Sequence, residues 1–414
     1  MGQAVGGVES RMSSILHVNE SVAASDIDPF SREFLADPYP FHEHLREAGP
    51  IVRLTRYNVL ASARYEQVHG ILNNWQVFGS AGGVGISNFH KEANWRPPSL
   101  LLETDPPVHT RARTVMNRVL SPPNLRKLRD GFYRDAIRLL DQALERKSFD
   151  AVAELTQPYP LKVFPDAVGI ADDERQRLLD YGDMVFSTMG PRNDLYQASM
   201  ARAGNVVPWV TQRCERSALR PGSLGSEVYA AADVGDVTEA EAALLVRSFL
   251  YAGVDTTIYA LGNAVLCFAE NPKQWQLLRQ DPSKVRAAFE EVMRFESAFQ
   301  AFFRTTTQAA TIAGVPIGKE EKIYLSVAAA NRDPRRWDEP SRFDITRKAT
   351  GQVGFGTGIH GCVGQMIARL EVEMMLTAMI ERVASIELTG KPDRLLHNTL
   401  RAVTSLPVQM TRSN

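Results

Sequence analysis

The sequence predicts a mainly α-helical protein with small β-sheets, and three observations carry that expectation. Apolar residues recur at helical spacing through most of the chain, whereas runs rich in β-branched residues are short and few. No repeat, low-complexity block or long flexible linker interrupts residues 26–412. That stretch reads as one domain, preceded by a small and polar segment, 1–25, that is expected to be disordered.

In chain order, Pro50 to Leu54 and Asn58 to Ala61 read as strands of a small sheet. Helical spacing covers Tyr65 to Asn73, Val108 to Leu120, Leu125 to Arg146, Asp173 to Val185 and Leu195 to Ser217. It resumes at Glu239 to Asn271, Pro282 to Glu296 and Gln365 to Val383, with strand-like runs at Thr311 to Ile317 and Lys322 to Ala329. Thr238 and Glu241 have the spacing of a capping box, and Asn271-Pro272 stops the long helix that they start. The segment Gly79 to Leu102 is rich in glycine and proline and long for a loop, which marks it as functional or disordered.

Bulk properties exclude several classes. The 414 residues are 44% hydrophobic, enough for a sizeable core, and carry a net charge of −1, so nothing marks the whole protein as a nucleic-acid binder. Cys214, Cys267 and Cys362 are widely spaced with no CxxC pair, which argues for a reducing compartment without structural disulfides. The N-terminus lacks the basic start and apolar stretch of a signal peptide, and no membrane anchor precedes Asp26. Ala242 to Ala269 is interrupted by Arg247, Ser248, Asp255, Thr256 and Thr257, as a core helix is and a membrane span is not. A soluble, cytoplasmic protein is expected.

The chain is organised around Phe355-Gly-Thr-Gly-Ile-His-Gly-Cys362-Val-Gly364. Glycines on both sides of one cysteine permit a tight backbone path, and the helix that follows sets the thiol near a helix N-terminus, where the thiolate is favoured. A buried structural thiol in a glycine-rich turn is the alternative. Every fixed position of the stretch resembles the haem-ligand loop of the cytochrome P450 superfamily, and the likeness extends over residues 26–412. The resemblance implies that superfamily's single triangular helical domain, with haem b bound through an axial thiolate from Cys362. Such a ligand pushes electron density onto iron and favours O–O cleavage.

Further motifs join it. Gly253, Asp255 and Thr256 interrupt an apolar helix at a cost in stability. They match the superfamily's oxygen-binding helix, where an acid and an alcohol relay protons and the glycine leaves room for dioxygen; a plain helix kink with back-bonded hydroxyls is the other reading. Glu291 and Arg294 match an element that buttresses the loop before the cysteine, so they are assigned to structure and not to catalysis. Haem propionates need cationic partners. His109 and Arg113, one helical turn apart, match the family's propionate contacts together with Arg304 and His360, and Phe355 joins them as a cofactor contact.

For the substrate, Ser248, Ala252 and Thr256 share one helix face, and eight residues span roughly 12 Å. An acid held near Ser248 would therefore reach past Ala252 toward the iron. Arg247, inside the apolar helix, either helps to hold that acid or pairs with an acidic side chain. Arg96 and Ser99 form a second such pair in a proline-bounded loop, and the two pairs could clamp one carboxylate. Four segments resemble the bacterial P450s that oxidise para-substituted benzoates, typically by O-demethylating 4-methoxybenzoate to 4-hydroxybenzoate and formaldehyde. That group implies Arg96, Ser99 and Ser248 on the carboxylate with Arg247 in support, and Leu102, Phe186, Ala252 and Phe302 around the ring. Met189 stands where the group usually has phenylalanine, so larger para substituents, such as alkyl chains, become plausible.

No flavin or nicotinamide fingerprint is present. The resemblance implies O2 and electrons from a [2Fe-2S] or similar ferredoxin with its NAD(P)H-dependent reductase. Arg126, Lys127 and Arg129 would meet that partner or form an ordinary solvated face. No nucleic-acid or membrane partner is expected. Two other readings stay open. One is a P450 hydroxylase of a larger neutral molecule such as a terpenoid, which would leave the Arg/Ser set unpaired. The other is a haem ligand-binding or sensor protein, which has no use for a proton relay.

Overall fold

In the computed structural model, which describes residues 22–413, the longest apolar run forms two helices where one was expected. Glu239–Ala252 begins at the capping box, with Glu241 N–H donating to Thr238 Oγ1 at 3.2 Å and Thr238 N–H donating to the Glu241 carboxylate at 2.8 Å. It ends at Gly253, and a second helix, Asp255–Glu270, follows on nearly the same path. The break has a local cause. The Thr256 and Thr257 hydroxyls donate to the Ala252 and Gly253 carbonyls at 2.7 and 3.3 Å, in competition with the backbone ladder. Pro272 then opens the next helix, Pro272–Gln280.

The pair is apolar all round and buried accordingly. Helices Pro158–Val168, Arg177–Ser187, Leu224–Asp233, Val285–Phe295 and Gln365–Arg382 pack against it. Glu239–Glu270 as a whole is apolar and long enough to cross a membrane, yet it lies mostly inside this core.

The sheets are small. The largest has six strands in the spatial order Ala23–Ser25, Val52–Leu54, Val59–Ser62, Lys322–Ser326, Ala301–Thr306 and Phe78–Gly79. Val383–Leu388 and Pro407–Arg412 pair antiparallel near the C-terminus, joined by Phe149–Asp150. Ala310–Ile312 and Val315–Ile317 form a hairpin.

Several boundaries differ from expectation. Residues 1–21 of the segment expected to be disordered lie outside the described residues, whereas Ala23–Ser25 is a strand running parallel to Val52–Leu54. The run Leu125 to Arg146 divides into Pro122–Arg126 and Arg129–Ala143, and Leu195 to Ser217 into Asp194–Met200 and Ala203–Arg213. Lys322 to Ala329 changes from strand to the short helix Val327–Ala330 where the Ser326 hydroxyl accepts from Ala329 N–H. The helices Tyr39–Ala48 and Pro158–Val168 and the strand Ala301–Thr306 were not read from the sequence.

The Glu291–Arg294 pair holds one end of the fold together. Both side chains are fully buried, and their double contact measures 2.7 and 2.8 Å. Arg294 also donates to the carbonyls of Asn331, Pro340 and Arg342, while Glu291 accepts from Asp344 N–H. The meander that leads to the cysteine loop is thereby fixed, as the structural assignment of this pair anticipated.

Residues 80–107 contain no helix or strand and are stitched down from three directions. Lys322 Nζ donates to the Gly82 and Gly83 carbonyls at 2.9 and 2.6 Å. Ile86 N–H donates to Met189 O, and the Asp105 carboxylate accepts from Ser80 and Ala81 N–H. Gly85 presses on Met189 so closely that a Cβ would stand 2.6 Å from its carbonyl oxygen.

Candidate active site

The loop from Phe355 closes on itself when Cys362 N–H donates to Phe355 O at 2.8 Å. Gly356 and Gly358 take positive φ, and at Gly358 a Cβ would also lie 2.6 Å from Leu72 O. Past Gly364 the chain enters Gln365–Arg382, so Gly364 and Gln365 N–H groups face the Cys362 sulfur. Burial pushes the thiol's pKa up, and these N–H groups with Arg113 and Arg369 oppose that rise. Cys362 alone of the three cysteines faces the main cavity; Cys214 and Cys267 are buried elsewhere.

That cavity lies between the cysteine loop and the helix break. Cys362, Phe355 and Ile367 line one wall; Ala252, Gly253 and Thr256, at the helix break, line another. The lining residues run from Leu72 to Glu371 in sequence.

One edge gathers basic side chains, and Arg304 among them lacks a carboxylate partner. Arg304 is 4% exposed and donates only to the adjacent Phe303 carbonyl, with no carboxylate at salt-bridge distance among the described residues. Burial pushes its pKa down to about 10, opposed only by Asp105. Arg113 donates to the Ile359 and Gly361 carbonyls. The His360 ring contacts Leu101 O at 3.0 Å and Asp105 Oδ1 at 3.1 Å. His109 lies behind, its ring 4.3 Å from that of His360, with Nε2 buried and unpartnered. Burial, then His360 and Arg113, push its pKa down to about 4. A buried guanidinium without a carboxylate partner, beside Arg113 and His360 in an apolar cavity that also holds a thiol, fits a porphyrin bearing carboxylates.

Thr256 faces the cavity, whereas Asp255 stands behind it, 1% exposed, with both carboxyl oxygens unpartnered. Burial, then Asp183 and Asp180, push its pKa far above the usual carboxylate range, so it holds a proton. Gly182 supplies the space for that carboxyl, since a Cβ there would overlap it. At Gly253 the space expected to serve dioxygen differs in use: a Cβ would collide with the Phe164 ring, which occupies that side of the backbone.

Leu102, Phe186, Ala252, Phe302 and Ser248 line the cavity. Arg96, Ser99, Arg247 and Met189 do not form its wall. Arg96 is held by both oxygens of Glu103 at 2.8 and 2.9 Å. Ser99 Oγ meets the Tyr251 hydroxyl at 2.9 Å, Arg247 donates to Pro97 O at 2.9 Å, and among the described residues Arg247 has no salt-bridge partner. Met189 is buried against the covering loop.

The structure adds lining residues that sequence reasoning missed. Tyr251 sits three residues after Ser248, a spacing that could have revealed it. Phe299 stacks on Phe302 at 4.0 Å and meets Phe186 edge-on at 5.4 Å. Glu103 follows Arg96 across two prolines, where no periodicity points to it.

Fold and site together define a class of protein that holds an iron porphyrin through one cysteine sulfur. Comparison with known proteins agrees. The family model for cytochrome P450 matches residues 170–410. Cytochrome p450 CYP199A2 of Rhodopseudomonas palustris is 50% identical over 386 residues, 93% of this chain and 94% of the relative. Cytochrome P450 107B1 of Saccharopolyspora erythraea is 32% identical, with 93% and 98% covered. Among solved structures, P450 CYP109Q5 from Chondromyces apiculatus aligns with a TM-score of 0.79 at 28% identity, over 94% of this chain and 99% of that one. P450BioI, solved with an acyl carrier protein bearing hexadec-9Z-enoic acid, aligns at 0.81 and 26%, over 92% and 100%. The chain belongs to the cytochrome P450 family. It is a monooxygenase whose cofactor is haem b with an axial cysteine thiolate, and it requires O2 and electrons from a redox partner.

Proposed function

We propose that the protein oxidises the para substituent of a benzoate, by O-demethylation of 4-methoxybenzoate or hydroxylation of a para-alkyl chain. The observation that carries this reading is the lining of the cavity. Leu102, Phe186, Phe299 and Phe302 make it apolar and aromatic, and Ser248 and Tyr251 add a polar end on the helix Glu239–Ala252, about two turns before Thr256. Arg96, Ser99 and Arg247 stand directly behind that end. A flat acid fits with its carboxylate there and its para carbon toward Thr256 and Cys362. The resemblance to the para-benzoate group and the 50% identity with CYP199A2 support the same reading.

Cys362 is the residue that would bind the iron, with Arg113, Arg304, His109 and His360 on the propionates and Phe355 against the ring. When bound, the haem supplies activation of dioxygen for insertion into a C–H bond. The chain's own part is to bind, orient and deliver protons. Ser248 and its neighbours anchor the acid, the phenylalanines hold the ring, and Asp255 and Thr256 pass protons to the cavity. Met189 is buried beside the covering loop, where its carbonyl accepts from Ile86 N–H. Electrons arrive from an iron–sulfur ferredoxin and its NAD(P)H-dependent reductase in the cytoplasm. Exposed Arg126 and Lys127, beside the helix that follows the cysteine, offer that ferredoxin a basic landing face, while Arg129 pairs with Glu373 at 3.1 Å.

Optical titration of the ferric enzyme tests the substrate. A Soret shift from low to high spin with 4-methoxybenzoate, absent with its amide and its meta isomer, is expected. A shift with large neutral compounds and none with any benzoate would replace this reading by the terpenoid-type one.

A further inference from the structure

The two arginines behind the polar end are not equivalent. Arg96 and Glu103 are both buried, with side chains 6% and 2% exposed, and they meet in two parallel hydrogen bonds. Glu103 also accepts from Ser99 N–H at 2.8 Å, so its carboxylate fixes both the guanidinium and the turn that carries Ser99. The charge of Arg96 is therefore already compensated. Arg247 has no such partner. It is 9% exposed, its Nη2 meets only the Pro97 carbonyl, its Nε is buried and unpartnered, and no carboxylate lies at salt-bridge distance among the described residues. The titratable groups that feel it, Tyr181 and Cys214, are both pushed up to about 12 by burial and so are neutral.

We infer that Glu103 sets the charge of the anion end, cancelling Arg96 so that Arg247 is the one surplus cation and the cavity selects a monoanion. This deepens the benzoate reading and rests on it. A neutral ligand leaves Arg247 uncompensated in an apolar setting, and a dianion brings one charge too many; a monocarboxylate closes the balance. The Ser99 hydroxyl meets the Tyr251 hydroxyl at 2.9 Å and accepts from Leu101 and Leu102 N–H, so it is held in place at the same turn. Glu103 is thus a positioning residue that acts through Arg96 and Ser99 and never touches the substrate.

The test compares three probes in the haem-loaded enzyme by Soret titration: 4-methoxybenzoate, its amide, and 4-methoxyphenylphosphonate at alkaline pH, where it carries two charges. In Glu103→Gln the affinity ratio of dianion to monoanion is expected to rise about tenfold or more, since a full charge is removed within a low-dielectric site. Simple loosening of the turn would weaken both anions together and leave that ratio unchanged. The charge-neutral double variant Arg96→Gln/Glu103→Gln keeps Arg247 as the surplus cation and is expected to return the ratio of dianion to monoanion to the parent's, whatever it loses in absolute affinity. Arg247→Gln alone is expected to lose at least about thirtyfold for the acid and little for the amide. An unmoved ratio in Glu103→Gln, or a double variant whose ratio stays as high as that of Glu103→Gln, overturns the assignment while leaving the benzoate reading intact. No shift with either anion in the parent enzyme overturns both.

Discussion

Asp255 is a carboxyl kept protonated by burial, one residue before a hydroxyl that faces the cavity. A group in that state can donate a proton at neutral pH without waiting for solvent. General acid–base groups contribute ~10²–10⁴-fold, so Asp255→Asn is expected to lower kcat about 10²-fold with little change in substrate affinity. Turnover and binding measured side by side, with an enlarged solvent isotope effect on turnover, check this. An unchanged kcat would remove Asp255 from the relay. His42 is a second buried titratable residue, and it has a different consequence. It is 1% exposed between Phe34 and Tyr39, and neither ring nitrogen has a partner. Burial, then Arg46, Arg332 and Arg401, hold its pKa well below the ordinary value near 6.5. The folded state keeps it neutral while the unfolded chain takes up a proton below about 6.5. Its contribution to stability is therefore present above that pH and lost as the pH falls. In His42→Phe the drop in urea midpoint between pH 8 and pH 5 should be smaller than in the parent protein.

Among the elements, the helix break at Gly253 is closely packed by the Phe164 ring. Gly253→Ala drives a methyl group into the Phe164 ring. Overpacking of that kind costs about 1–3 kcal/mol. Combining it with Phe164→Leu should cost less than the sum of the two single changes, by at least ~0.5 kcal/mol in a double-mutant cycle; strict additivity would mean the two do not compete for space. Legibility in the sequence followed the same line between local and distant causes. The capping box at Thr238, the cysteine loop and the Glu291–Arg294 pair were readable because each is defined by spacing along the chain. The strand Ala301–Thr306 was not, because it exists through pairing with Lys322–Ser326 and Phe78–Gly79. Glu103 escaped notice for a like reason, since its partner is reached only after the chain turns back over two prolines. The break at Gly253 was visible as a composition anomaly, but its filling by Phe164 required the packing.

At the scale of the whole molecule, helices and the strand Ala301–Thr306 line a cavity whose basic side chains are unequally satisfied. Arg304 at one edge and Arg247 behind Ser248 are buried guanidinium groups with no carboxylate at salt-bridge distance among the described residues. Net charge near zero hides both, because each depends on where burial leaves a cation without a partner. The cavity wall begins at Leu72 and is not complete until Glu371. A chain emerging from the ribosome therefore has no place to put the haem until almost the last helix has been made. Cofactor capture must be one of the final events of biogenesis, and a truncated product, however well its early helices form, has nothing with which to compete for porphyrin.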